Sequence, residues 1–241
     1  MVGTRVLAAT TASAGLTPAR SGEFLLRSTY VIRILFLGHD IFLPRSRYAD
    51  DLANRAERGF VQYQRQALVG GSYGLTDTKQ IHPQSALGPT EPLLLRPGYW
   101  VNFLWKRTLG TSVYNLTSSS ASVRAYMFSG APPSTFAANE CTSSEAQLLL
   151  INLSEDANAT VALPKLSARS YYTWTLAPAR GADGSLASYA KDVELNGKRR
   201  PDTVDASDGS ANFLERLPQP AKGSVSEGAV LAPLSVSFPC A

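Results

Sequence analysis

From Gly110 onward the chain is a series of short apolar-polar runs separated by turn signals. Runs of that kind bury their apolar residues by pairing into antiparallel sheet. They occupy residues 122–128, 147–152, 160–163, 171–176, 193–195 and 231–238. Asn196-Gly197, directly after Val193-Glu-Leu195, is a strong two-residue hairpin signal, because the favoured turn needs positive φ at both central positions. Loops rich in Ala, Pro and Ser at 129–144 and 200–228 separate some of the runs. An antiparallel β-sandwich is the class predicted for residues 111–241.

Upstream of Gly110 the periods change. Residues 47–57 read as a helix, with Leu52 and Ala56 at helical spacing and Gly59 as its stop. Residues 60–69 read as a strand carrying Val61, Tyr63, Ala67 and Val69 on one face, and Gly70-Gly71-Ser72 breaks it. Residues 76–98 form a loop rich in Pro, Thr and Gly. Pro97 then opens a second helix, 98–109, bearing Tyr99, Trp100, Phe103, Leu104 and Trp105, with Gly110 at its end. Helix, strand, glycine loop and helix make one α/β unit. Residues 1–45 carry no convincing start or stop signals and stay unassigned.

The net charge of +4 would suit an acidic polysaccharide or an anionic membrane surface, and equally an ordinary solvated surface, since no basic run exceeds Lys198-Arg199-Arg200. No nucleic-acid motif is present. Residues 24–43 are the most apolar stretch, but Arg27, Arg33, His39 and Asp40 interrupt it, which favours soluble-protein interior, or sequence foreign to the rest of the chain, over a membrane span. No apolar segment of signal-peptide type follows Met1. The two cysteines, Cys141 and Cys240, are open to two readings, one disulfide or two buried thiols. The triplets at Asn115, Asn152 and Asn158 are N-glycosylation acceptors and shift the balance toward the secretory pathway. His39 and His82 lack ligand-spaced partners, so neither a metal nor another cofactor is expected, and no nucleophile elbow is found.

Several ordered segments together resemble a known family. They are Tyr48-Ala-Asp-Asp-Leu-Ala-Asn-Arg-Ala, Arg65-Gln-Ala-Leu-Val-Gly-Gly-Ser-Tyr-Gly-Leu75 and Arg96-Pro-Gly-Tyr-Trp-Val-Asn-Phe-Leu-Trp-Lys-Arg-Thr-Leu-Gly110. Further on come Val123-Arg-Ala-Tyr126, Leu148-Leu-Leu-Ile-Asn-Leu153, Leu195-Asn-Gly-Lys198 and Ala232-Pro-Leu-Ser-Val-Ser-Phe238. In order and spacing they resemble the C-terminal part of heparanase-like proteins, glycoside hydrolase family 79, most closely the plant-type branch. The resemblance spans about residues 46–241. It implies that 46–110 is the C-terminal remnant of a (β/α)8 catalytic barrel and that 111–241 is the β-sandwich packed beside it.

The activity so implied is retaining hydrolysis of a β-glucuronide, in which two glutamates about 5 Å apart act as acid/base and nucleophile. Strand 60–69 resembles the eighth barrel strand, whose C-terminal end faces the sugar. Gln66, Gly70, Gly71 and Tyr73 then fall at the substrate; Ser72 departs from the usual Asn. The catalytic pair itself finds no match. Asn139-Glu140 is the sole Asn-Glu dipeptide and lies in the β domain, whereas the acid/base belongs far upstream. Gly22-Glu23 is at a suitable distance for the nucleophile, but Phe24-Leu25-Leu26 replace the small residues expected after it, leaving Glu23 the candidate of last resort. Asp50, Asp51 and Glu57 read as exposed helix carboxylates. The expectation is therefore a piece of such an enzyme, inactive alone and lacking the other part of the barrel. The alternative is a non-catalytic secreted module that binds carbohydrate or protein.

The family's β domain also pairs a cysteine after its Arg-x-Tyr strand with one near the C-terminus. Ser129 takes the first position here, so the resemblance implies a Cys141–Cys240 disulfide with the intervening loop folding back. It further implies an acidic polysaccharide or glucuronide-bearing glycan as partner. The location implied is extracellular, in the cell wall, or in a lysosome or vacuole, with peripheral membrane association open.

Overall fold

The computed structural model describes residues 4–7, 43–60, 75–78, 93–114, 116–132, 139–144, 146–163, 167–179, 193–199, 203–204 and 219–241. Within them the strands are β1 (Thr4–Leu7), β2 (Thr76–Thr78), β3 (Leu93–Leu95), β4 (Ser112–Tyr114), β5 (Val123–Ser129), β6 (Gln147–Asn152) and β7 (Ala159–Ala162). They continue with β8 (Ser170–Pro178), β9 (Val193–Leu195), β10 (Lys198–Arg199), β11 (Thr203–Val204), β12 (Ala221–Ser224), β13 (Ala229–Leu231) and β14 (Val236–Cys240). The helices are α1 (Leu43–Glu57), α2 (Pro97–Thr108) and the short α3 (Asn139–Thr142).

The fold is mostly sheet. An eight-stranded sheet runs β10-β9-β8-β14-β6-β5-β4, with β12 also paired to β8, and all of its pairings are antiparallel. A small sheet has the order β1-β7-β13, with β13 antiparallel and β1 parallel to β7. A third, β11-β3-β2, is antiparallel.

Strand β6 shows why the large sheet sits in the middle. Its sequence, Gln-Leu-Leu-Leu-Ile-Asn, is an unbroken apolar run with polar ends, and every residue of it is buried. A strand reads that way when both faces are covered. Leu149 and Ile151 join a cluster with Ala49 and Ala53 of α1, Trp100, Val101 and Leu104 of α2, and Trp174, Leu176 and Phe238 of the neighbouring strands. Leu148 and Leu150 point the other way, into a cluster with Ala159 and Val161 of β7 and Ala229 and Leu231 of β13. Helices thus cover one face and the small sheet covers the other. Leu149, Leu150 and Ile151 are each 0% exposed, so burial of each side chain contributes about 1.5–3 kcal/mol.

Alternation divides the adjacent strands in the same way. In β5, Val123 and Ala125 face the small sheet while Tyr126 and Phe128 face the helices. In β14, Val236, Phe238 and Cys240 face the helices, and Ser237 on the opposite face shares a 2.8 Å hydrogen bond with the Thr175 hydroxyl. Pairing of β14 with β6 occurs at Val236, Ser237 and Cys240, and Pro239, which has no N–H to give, falls in the gap.

The predicted helices form, α1 beginning earlier, at Leu43, and α2 spanning Pro97–Thr108 with its proline in the first turn. Gly110 follows α2 for a steric reason. A Cβ there would overlap the backbone carbonyls of Ser129 and Gly130 at the end of β5. The Asn196-Gly197 hairpin is present between β9 and β10, with φ of 50° and 71°. The Asn196 side chain adds to it, accepting from Thr175 N at 2.8 Å and donating to the carbonyls of Thr173 at 3.3 Å and Gln219 at 3.1 Å.

Other expectations are corrected. The single run at 231–238 is two strands, β13 and β14, split by a turn in which Leu234 adopts φ 51°. A left-handed leucine costs about 1–2 kcal/mol, and its burial to 1% exposure offsets this. The loop at 76–98 contains β2 and β3, which pair with each other. The loops at 129–144 and 200–228 contain α3 in the first and β11 and β12 in the second. Within 1–45, β1 lies along β7, and α1 reaches back into that region. The expected strand at 60–69 lies outside the described residues, apart from Phe60.

Candidate functional site

Gln66, Gly70, Gly71, Tyr73 and the candidate nucleophile Glu23 lie outside the described residues, as do His39, His82 and Asn115. The short segment just beyond the predicted sugar-facing strand end is described. There the Leu75 carbonyl accepts from Arg96 N at 3.0 Å, which ties the start of that segment to the start of α2. Helix α2 is anchored by its aromatic residues. Tyr99 meets Trp100 edge-on at 5.6 Å, Trp100 meets Phe103 at 6.0 Å, and Trp105 meets Phe128 of β5 at 5.2 Å. Tyr48 of α1 donates to Asn102 of α2 at 2.9 Å, so the two helices form one layer.

A polar cluster joins that layer to the large sheet. The Tyr126 hydroxyl of β5 donates to Asp50 Oδ1 of α1 at 2.6 Å, and Arg124 Nε lies 3.9 Å from the same oxygen. Burial, followed by the carboxylate acceptor Asp50, pushes the Tyr126 phenol well above its ordinary value, so it acts as a donor throughout the physiological range. Beside it lies an open cleft of about 420 Å³ lined by Glu57, Ser118, Ser120, Arg124 and Tyr126. Hydroxyls, a guanidinium and a carboxylate in one cleft can exchange hydrogen bonds with a polyol. Asp50 therefore departs from its reading as an exposed helix carboxylate. Asp51 makes an i,i+4 pair with Arg55 at 2.9 Å, its side chain 43% exposed, and matches that reading. The spacing of Asp50 and Tyr126, 76 residues apart, offers no sequence signal for their contact.

The Cys141–Cys240 disulfide is formed, joining α3 to the end of β14 across 99 residues, with Cα atoms 5.3 Å apart. Glu140 next to it lies in α3, where its charge acts on the Arg107 guanidinium; burial lowers the Arg107 pKa and Glu140 opposes that shift. Gln147 is 1% exposed and organises the same corner. Its Nε2 donates to the carbonyls of Gly130 at 3.0 Å and Cys141 at 3.2 Å, and its Oε1 accepts from Gly110 N at 3.0 Å. Sequence reasoning gave Gln147 no role, since a lone glutamine at the start of an apolar run carries no distinguishing signal.

Asn152, expected as a glycan acceptor, is 0% exposed. Its Nδ2 donates to the carbonyls of Ala157 at 2.8 Å, Ala232 at 3.0 Å and Leu231 at 3.3 Å, while its Oδ1 accepts from Ser154 N at 3.0 Å. The folded chain offers no accessible amide there. Asn158, just before β7, is exposed. Among the described residues no three His, Cys, Asp or Glu side chains gather as a metal site, and no helix is long and apolar enough to cross a membrane.

No protein-family model matches the chain. Over 127 residues it is 30% identical to Heparanase-like protein 2 of Arabidopsis thaliana, a stretch covering 52% of this chain and 19% of that protein. The chain is thus similar in sequence to a heparanase-like protein, of which it spans a minor part. Among solved structures, an arabinose-bound GH51 α-L-arabinofuranosidase aligns with TM-score 0.46 and 11% identity, over 83% of this chain and 27% of that one. The GH51 arabinofuranosidase of Xanthomonas axonopodis pv. citri aligns with TM-score 0.46 and 13% identity, over 85% of this chain and 36% of that one.

Proposed function

We propose that this chain is the C-terminal portion of a heparanase-type retaining β-glucuronidase. Residues 46–110 supply the last strand and flanking helices of a (β/α)8 barrel, and 111–241 supply the β-sandwich that braces them. The observation that carries this reading is the 30% identity over 127 residues to a heparanase-like protein. The helix layer seated on the large sheet, and the disulfide that the resemblance implied, both support it.

In such a site Gln66 and Tyr73 hold the glucuronate, the amide bonding sugar hydroxyls and the phenol offering a hydroxyl and an apolar face. Two carboxyls about 5 Å apart carry the chemistry, one protonating the leaving oxygen and the other forming the glycosyl-enzyme. Asp50, held by Tyr126, and Asp51, paired with Arg55, both sit within helix α1 and not at the C-terminal end of a barrel strand, so neither matches this role. The acid and nucleophile belong to parts of the barrel other than the described residues, and 46–241 acts as scaffold and one wall of the sugar site. The disulfide supports an oxidising, secretory location.

Release of aglycone from an aryl β-D-glucuronide by the purified chain tests this division of labour. Turnover is expected to be absent with the chain and unchanged in Glu23→Gln. Turnover abolished by Glu23→Gln overturns the reading and makes Glu23 the nucleophile.

A second reading, a non-catalytic carbohydrate-binding module, is favoured by the polar cleft beside Arg124. Retention on glucuronan without turnover, lost in Arg124→Ala and kept in Gln66→Ala, would select it.

A further inference from the structure

The fold treats two neighbouring sequons in opposite ways. Asn152-Leu153-Ser154 ends the buried strand β6, and every polar atom of the Asn152 side chain is used inside the protein. Asn158-Ala159-Thr160 opens β7 on the other side of a tight turn. Ser154 fixes that turn, its Oγ accepting from Ala157 N at 3.1 Å and donating to Asp156 at 2.9 Å. Ala159 points inward at 4% exposure, so the residues flanking it in sequence, Asn158 and Thr160, fall on the outward face of the small sheet. Directly across the ladder from Thr160 is Val230, which is 63% exposed on that same face. Nothing described covers this outer face at Val230.

We propose that the folded, secreted protein carries an N-linked oligosaccharide at Asn158 and none at Asn152, and that this oligosaccharide stands on the outward face of the small sheet beside Val230. The donor is a polyprenyl-diphosphate-linked oligosaccharide of the secretory pathway. Asn158 Nδ2 forms the bond to the sugar C1, and the C1–oxygen bond to the diphosphate breaks. The diphosphate leaves with the electron pair, the amide gives up one proton to a base of the transferase, and no atom changes oxidation state. The same transfer to Asn152 would replace an N–H that now bonds a buried carbonyl and would force a sugar into the space between β6 and the turn after β13. A chain modified there cannot close this corner. This inference concerns a modification, and it stands or falls independently of the hydrolase reading.

The experiment passes the chain, behind a cleavable leader, through a eukaryotic secretory pathway. Secreted chain is then analysed by peptide N-glycosidase, which converts a glycosylated Asn to Asp, and by fragmentation mass spectrometry. Asn115 falls on a different tryptic peptide and is counted separately. Expected in the secreted chain are conversion at Asn158 with none at Asn152, and loss of one glycan step in both Asn158→Gln and Thr160→Val. Conversion at Asn152 in the secreted chain, or an unmodified Asn158, overturns the proposal.

Discussion

The backbone amide of Gly110 donates to Oε1 of Gln147 at 3.0 Å, so the residue that closes α2 is fastened to the first residue of a strand buried along its whole length. Through its Nε2 the same side chain holds the end of β5 at Gly130 and the disulfide segment at Cys141. One amide therefore connects the helix layer, the large sheet and the cystine.

Gln147→Leu keeps the volume and removes the hydrogen bonds. Each buried group left without a partner costs about 1–3 kcal/mol, and a loss of about 2–4 kcal/mol in the free energy of unfolding is expected from urea titration. Gln147→Glu retains the acceptor for Gly110 but cannot donate while ionised, and it buries a charge. It is expected to be at least as damaging at neutral pH and to recover partly in acid, where the protonated carboxyl donates. Equal stability of Gln147→Leu and the parent would show that the corner does not depend on this side chain.

Opening the Cys141–Cys240 link frees a loop of 99 residues in the unfolded chain. The chain-entropy relation gives a destabilisation of about 4–5 kcal/mol. Cys141→Ala/Cys240→Ala should lower the unfolding midpoint accordingly, and reductant should reproduce the shift in the parent while leaving the double variant unaffected. Both sulfurs are buried, so reduction is expected to be slow until the chain unfolds.

Alkaline pH should weaken the fold through its tyrosines. Burial raises Tyr126, Tyr171 and Tyr99 above the ordinary 10.0, with Asp50 adding to Tyr126 and Glu227 to Tyr171. A group raised on folding contributes its full stability below the unfolded value and loses it as pH climbs above that value. Unfolding midpoints should therefore be flat in this respect up to pH 10 and fall beyond it. Tyr126→Phe should make the fall shallower by removing one titrating group. At neutral pH it should cost on the order of 1–2 kcal/mol, because Asp50 loses its donor. An unchanged alkaline slope in Tyr126→Phe would remove Tyr126 from the effect.

Where local chemistry decides, the sequence was readable. Asn196-Gly197 announced its hairpin, Pro97 and Gly110 bracketed α2, and the apolar run at β6 matched its strand residue for residue. Where distant segments decide, it was not. Leu234 occupies a left-handed turn with no glycine to betray it, so two strands read as one. β2 and β3 are each three residues long and exist through pairing with each other and with β11. The run at β6 announced burial but not which layers cover its faces. A sequon pattern likewise cannot say that Asn152 turns inward while Asn158 turns out. The disulfide was expected from resemblance, since two cysteines 99 residues apart in an otherwise cysteine-free chain carry no geometry of their own.

The β-glucuronidase reading meets its most direct test in calorimetric titration of the purified chain with an oligosaccharide ending in β-linked glucuronate, run beside the matched glucoside. Expected is saturable binding of the glucuronate form, weak for a single wall of a site, abolished in Gln66→Ala and reduced in Tyr73→Phe. Absence of binding, equal binding of the glucoside, or binding indifferent to Gln66 and Tyr73 would contradict it.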